Sequence, residues 1–245
     1  MRSRNVWEVT RNEFSEENLC CRTLDLDFRG CRRNSMHDLV SLMSDLLSQD
    51  AILSATILKA RALIVYGTSF GATKGTAEEI AKILREENFD IELVNAQEEK
   101  VKDISEYGLI VVGSGVACGR WVNEAEDFLK KFRKEFDNKK LALFVSSVEP
   151  IAKREGNTAE VAKMHKIDAE DRVSKYGLKP VSIGFFGGIL DFNRMGFLTR
   201  KGMEVAFKAP LQKHGFKETS PDAYDLRDWE EIRNWAKELA EKARE

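Results

Sequence analysis

Ala62-Leu63-Ile64-Val65-Tyr66-Gly67-Thr68-Ser69-Phe70-Gly71-Ala72-Thr73-Lys74-Gly75-Thr76 runs from an apolar stretch into a turn of hydroxyls and glycines, and then into a helical pattern. A short unbroken apolar run that ends at turn residues fits a strand buried on both faces, as in a parallel sheet. Glycines in the turn let backbone N–H groups face inward, and the helix that follows adds the positive end of its dipole. Thr68, Ser69 and Thr73 contribute hydroxyl donors without charge. The turn therefore reads as an anion site, with a terminal phosphate monoester held by neutral donors as its ligand. Helix capping accounts for one such hydroxyl but not for three.

Two familiar phosphate loops do not match. A P-loop ends in Gly-Lys-Ser/Thr to reach a triphosphate and its magnesium, whereas Lys74 lies between Thr73 and Gly75. The dinucleotide fingerprint needs G-x-G-x-x-G, but Gly67, Gly71 and Gly75 recur at every fourth position. ATP, GTP and NAD are thus disfavoured as ligands.

Strand and helix patterns alternate from Lys59 onward, which is the signature of βαβ units. Five strands are expected, over residues 62–67, 91–94, 109–113, 141–146 and 181–186. Ala77-Ile80-Ala81-Leu84 and Ala125-Phe128-Leu129-Phe132-Phe136 repeat at helical spacing, and a polar helix is expected over 158–175. Trp229-Ile232-Trp235-Ala236-Leu239 predicts a closing helix whose tryptophans are core residues. Right-handed crossovers fold such a series into a three-layer α/β sandwich, with a five-stranded parallel sheet of order 2-1-3-4-5. Ligands then sit beyond the carboxyl ends of strands one and three, where the winding reverses.

The loops at that edge are unusual. Strand three ends in Gly113-Ser114-Gly115-Val116-Ala117-Cys118-Gly119-Arg120-Trp121, whose glycines imply tight turns or close backbone approach to a flat group. Trp121 either stacks on that group or packs at the start of the next helix. Arg120 either faces a developing negative charge or is a solvated surface residue, and Cys118 reads as packing more than redox chemistry. Strand four ends in Ser146-Ser147-Val148-Glu149-Pro150, again with small hydroxyls. His37, His165 and His214 fall in unrelated segments, none at an expected strand end, so no acid–base constellation is expected.

Thr68-Ser69-Phe70-Gly71-Ala72-Thr73 resembles the FMN phosphate loop of flavodoxins, with Phe70 as a spacer where short-chain flavodoxins go directly to Gly. The resemblance implies FMN as cofactor, with its phosphate on residues 68–73. It implies that Ser114, Gly115, Val116, Ala117, Cys118, Gly119, Arg120 and Trp121 form one flavin-ring loop, and Ser146, Ser147 and Val148 the other. In that family a carbonyl flips toward flavin N5 on reduction, and Gly115 or Gly119 would permit the movement. The apolar and basic stretch after strand five, followed by Asp228-Trp229-Glu230-Glu231-Ile232, resembles the menaquinone-dependent protoporphyrinogen oxidase branch of the superfamily. That likeness covers about 61–242 and implies an FMN oxidoreductase passing electrons to a quinone. The alternatives are an electron carrier between protein partners and a flavin-less binding module of the same fold. Phe192, Met195, Phe197, Leu198, Met203 and Phe207, with Arg194, Arg200, Lys201 and Lys208, would suit a tetrapyrrole substrate or a membrane surface, or else a helix packed on its own domain.

Composition bounds the remaining classes. The 245 residues fit one large α/β domain, here 59–245, with an N-terminal extension over 1–58. Charged residues make up 33%, yet the formal net charge is −2, which provides no global field for nucleic acid. No apolar run reaches the roughly 18 residues of a membrane span, and four cysteines without a secretory signal point to reduced thiols in a cytoplasmic protein. The extension reads as poorly ordered up to Met36, an alternative start, with Leu39, Leu42, Met43, Leu46 and Leu47 on one helical face. Cys20, Cys21 and Cys31 lack zinc-site spacing, so no metal is expected.

Overall fold

The computed structural model describes residues 59–117 and 119–245. The expectations for residues 1–58 and for Cys118 lie outside the described residues.

The apolar run becomes β1 (Ala60–Gly67), whose Ala62, Leu63, Ile64 and Val65 are fully buried. It is followed by α1 (Ala72–Glu86), β2 (Phe89–Asn95), β3 (Leu109–Ala117), a two-residue β4 (Arg120–Trp121) and α2 (Asn123–Phe132). Next come β5 (Lys140–Ser147), α3 (Glu149–Arg154), α4 (Thr158–His165), one π turn (Lys166–Glu170) and α5 (Asp171–Tyr176). The strand β6 (Ser182–Gly187) completes the parallel sheet in the order β2-β1-β3-β5-β6. This is the expected 2-1-3-4-5 order of a flavodoxin-like sandwich, with β4 added antiparallel to β3. The winding reverses between β1 and β3, whose ends meet at the pair Gly67 and Ser114.

Alternation along the strands divides the core. Ala62, Ile64, Tyr66, Val111 and Phe144 pack against α1 and the closing helix α7 (Trp229–Arg244), through Ile80, Leu84, Ile232 and Leu239. Leu63, Val65, Val112, Leu143 and Val145 face α2 through Leu129 and Phe132. Asp228 starts α7 by accepting hydrogen bonds from the N–H groups of Glu230 and Glu231 at 2.9 and 3.1 Å. Trp235 is 9% exposed within the first of these clusters, a core position as its spacing predicts.

One part of the architecture has no counterpart in the sequence reading. After β6 the chain forms β7 (Ile189–Asp191), a 3-10 turn (Phe192–Arg194), α6 (Phe197–Lys213), β8 (Glu218–Ser220) and β9 (Ala223–Asp225). The three strands make a separate antiparallel sheet of order β7-β9-β8. A small third core of Ile151, Leu190, Phe192, Leu211, Tyr224 and Leu226 lies beneath α6. Gly187 lets the chain return closely over the sheet edge, since an added Cβ would stand 2.0 Å from the Leu226 carbonyl oxygen.

Candidate functional site

The turn between β1 and α1 is built to leave donors free. Gly71 stands at the N-cap of α1 with φ of +89°, a left-handed conformation that glycine adopts without strain. No side chain caps α1 and no acid lies in its first turn, although helices ordinarily satisfy their first N–H groups in one of these ways. The Thr68 hydroxyl accepts from the Gly71 N–H at 2.9 Å, and the Thr68 N–H donates to Gln97 Oε1 at 3.0 Å, so the turn is held in shape from both sides. Thr73 is 1% exposed, and Ser69 is open to solvent.

Across from this turn lies Gly115 on β3. A Cβ built there would fall 3.1 Å from Thr73 Oγ1 and 3.9 Å from the Ser69 backbone nitrogen, so the missing side chain is what keeps the space over the turn open. An uncapped helix start, a buried threonine and an open cradle fit a phosphate monoester. Two arginines that the sequence analysis does not assign to the turn adjoin it. Arg194 donates from Nη1 to the Phe70 carbonyl at 3.0 Å. Arg227 reaches the Ala72 carbonyl at 3.4 Å, pairs with Asp225 at 2.6 Å and lies 4.3 Å from the Trp229 ring centroid. A cation at a helix N-terminus opposes the dipole, and Asp225 offsets that here. Arg227 also lines a groove of about 500 Å³ that carries Lys153, Arg154 and Lys217.

The other expected site residues are divided by the structure. Ser114 is fully buried, and its hydroxyl accepts from the Val122 N–H at 2.9 Å while donating to the Gly115 carbonyl at 2.9 Å. It shapes the loop from within. Val116 pairs with Trp121 in the β3–β4 hairpin, and Ala117 and Arg120 are exposed. Trp121 is 3% exposed and donates its indole N–H to the Asp168 carbonyl at 2.6 Å, so of its two possible roles it takes the packing one. Gly119 has φ of +69°, and its carbonyl accepts from Arg172 Nη2 at 2.9 Å. A flip of the Gly119 carbonyl would break that charge-assisted bond, whereas the Gly115 carbonyl accepts from a neutral serine hydroxyl. On the neighbouring strand Ser146 pairs with Gly115, and its buried hydroxyl has no partner among the described residues. Ser147 accepts from the Glu149 N–H at 3.2 Å, and Val148 packs half-buried against the third core.

His165 departs from the expectation of isolated histidines. Its Nε2 lies 2.8 Å from Glu149 Oε1, at the end of β5, and its ring stacks on Phe185 with centroids 3.6 Å apart. Asp168 is buried beside it, and desolvation lifts its carboxyl to about 6, against the opposing pull of Arg172 and His165. Glu149 and His165 are sixteen positions apart, and no motif announces the pair; only the return of α4 over the end of β5 brings them together.

The 192–217 stretch is divided between two surroundings. Leu211 is buried, and Met203 and Phe207 pack on the third core. Phe197, Leu198 and Val205 are 75%, 85% and 86% exposed, and Leu198 and Val205 share one helical face by their spacing. Arg200 and Lys208 both pair with Asp222 at 2.9 Å. Among the described residues, no helix is long and apolar enough to cross a membrane, and no cluster of His, Cys, Asp and Glu could hold a metal.

The chain is similar in structure to a flavodoxin from the domain Archaea, with 19% identity over 76% of this chain and 99% of that one and a TM-score of 0.43. It is similar to oxidised flavodoxin 2 from Bacillus cereus at 21% identity over 75% and 99% of the two chains, with a TM-score of 0.40. A rubredoxin oxygen:oxidoreductase from Desulfovibrio gigas matches at 14% identity and a TM-score of 0.38, over 82% of this chain and 41% of that chain's length. The family model described as a flavodoxin domain matches residues 63–215, more than half of the sequence. The chain therefore belongs to the flavodoxin domain family, whose cofactor is FMN.

Proposed function

We propose that this protein is an FMN-dependent oxidoreductase of the flavodoxin type, of the menaquinone-dependent protoporphyrinogen oxidase kind. The observation that carries the cofactor assignment is the uncapped start of α1 facing the open cradle at Gly115. In this reading Thr68, Ser69, Thr73 and the backbone of 69–73 hold the phosphate, with Arg194 and Arg227 adding positive charge beside it. Gly115, Gly119 and their neighbours flank the ring on one side, and the Ser146 hydroxyl, with Ser147 and Val148, on the other. The bound flavin supplies hydride or single-electron transfer, and the protein sets the potential through the groups around the ring.

The enzyme reading is favoured over a pure carrier by the additions around α6. A protein that only exchanges electrons through an exposed ring edge has no need of a charged groove beside the phosphate turn, nor of Phe197, Leu198 and Val205 turned outward. Of the groove's cations, Lys153 is paired with Glu149 and Glu231 and Arg227 with Asp225, which leaves Arg154 and Lys217 to meet a substrate bearing carboxylates, such as a tetrapyrrole. The apolar face of α6, with Lys201 beside it, suits peripheral contact with a membrane that holds a quinone. Residues 59–245 form the unit that carries the site, in a cytoplasmic setting.

The test is the absorption spectrum of the purified full chain, with chromatography of any released cofactor. A two-banded flavin spectrum with FMN released, weakened when Thr68 and Thr73 are replaced, is expected. A colourless protein that ignores added FMN would transfer the weight to a flavin-less binding module. Neutralising Arg154 and Lys217 separates the enzyme from a carrier: turnover with a reduced substrate is lost in the first case, and electron mediation survives in the second.

A further inference from the structure

Glu149 opens α3 directly after β5, yet its side chain is only 1% exposed. Its Oε1 receives both His165 Nε2 at 2.8 Å and Lys153 Nζ at 3.2 Å, while Oε2 is buried with no partner among the described residues. His165 is 29% exposed, so its ring touches solvent on one side and a buried carboxylate on the other. The charged groups facing the pair come from four elements. They are Lys153 from α3, Glu231 from α7 through its ion pair with Lys153, and Asp168 and Arg172 from the π turn and α5 that continue α4; β6 supplies only the neutral Phe185. This cluster is fastened to both loops at the sheet edge. Arg172 holds the Gly119 carbonyl, the Asp168 carbonyl holds Trp121, and Glu149 itself ends the β5 loop with its N–H on Ser147.

We propose that His165, paired with Glu149, is the redox-linked proton site of this protein: the imidazole binds one proton from solvent as the flavin between these two loops gains two electrons, and releases it on reoxidation. The inference rests on the flavin reading above. One N–H bond forms on the imidazole, the two electrons come from the external reductant, and Glu149 remains a carboxylate that balances the imidazolium. Negative charge gained by the ring attracts the proton, and by reciprocity the bound proton raises the potential.

The test is potentiometry of the FMN-loaded full chain across pH, reduced with dithionite, for the parent, His165→Gln and Glu149→Gln. One proton per two electrons makes each tenfold change in proton activity worth about 30 mV. The parent slope is therefore expected to exceed that of His165→Gln by up to this amount per pH unit over part of the pH range scanned. Equal slopes would overturn the proposal. NMR titration of His165 in the parent protein gives a second reading that needs no variant: the pH at which the ring titrates should rise on reduction, and an unchanged titration would also overturn it. A protein that binds no FMN refutes the flavin reading and this proposal together, while FMN binding with equal slopes refutes this proposal alone.

Discussion

Asp168→Asn should stabilise the protein at neutral pH and remove part of its pH dependence. Asp168 is 4% exposed, and its carboxyl is raised from 3.8 to about 6 because burial disfavours the charged form. Its backbone carbonyl, not its side chain, accepts the Trp121 N–H, so the amide preserves that contact. A carboxyl raised in the folded state contributes fully below the unfolded value near 3.8, and that contribution is lost as pH rises through about 6. The rise from 3.8 to about 6, at 1.36 kcal/mol per pH unit, amounts to about 3 kcal/mol lost by the parent at neutral pH. About 1.4 kcal/mol of this loss falls between about pH 5 and about pH 7.5. Urea denaturation of parent and variant at those two pH values measures it, with the m-value checking that the denatured state is unchanged. The advantage of the asparagine variant should grow from the lower pH to the higher by that amount. A difference that does not change with pH would refute the burial of Asp168 as a charge-disfavouring environment.

Thr73→Val keeps the volume of a buried residue while removing its hydroxyl, and should weaken FMN binding about tenfold, near 1.4 kcal/mol, in a flavin fluorescence titration. Unchanged affinity would place the phosphate elsewhere. Gly187→Ala drives a Cβ to 2.0 Å from the Leu226 carbonyl oxygen and should cost about 3 kcal/mol or more in chemical denaturation, because backbone must move to admit it. Leu198→Glu combined with Val205→Glu alters two side chains that are 85% and 86% exposed, so folding stability should stay within about 0.5 kcal/mol of the parent. The same variant should no longer sediment with anionic lipid vesicles, and retained sedimentation would exclude α6 as the contact surface.

Much of the scaffold was legible because its signals are local. The short apolar run 62–65, bounded by turn residues, fits a strand covered on both faces, and the spacing of Ile232, Trp235, Ala236 and Leu239 gives a helix with one buried stripe. The β7-β9-β8 sheet was not legible, since three-residue strands are too short to display a period and the β7–β9 pairing spans more than thirty positions of chain. In the sequence the region after β6 is one continuous apolar and basic stretch, and only the third core explains why Leu211 turns inward while Leu198 turns out.

The sequence by itself determined the alternation of strands and helices and the turn of glycines and hydroxyls after β1, because each is encoded within a dozen consecutive residues. Only the tertiary structure decided which side chains surround that site. Arg227 stands 155 positions from Ala72, and His165 sits on a helix with no local mark of chemistry, until the crossover places it 2.8 Å from Glu149. Contacts of this kind follow from packing between elements, which depends on shape and closure across the whole domain and leaves no periodic trace in the chain.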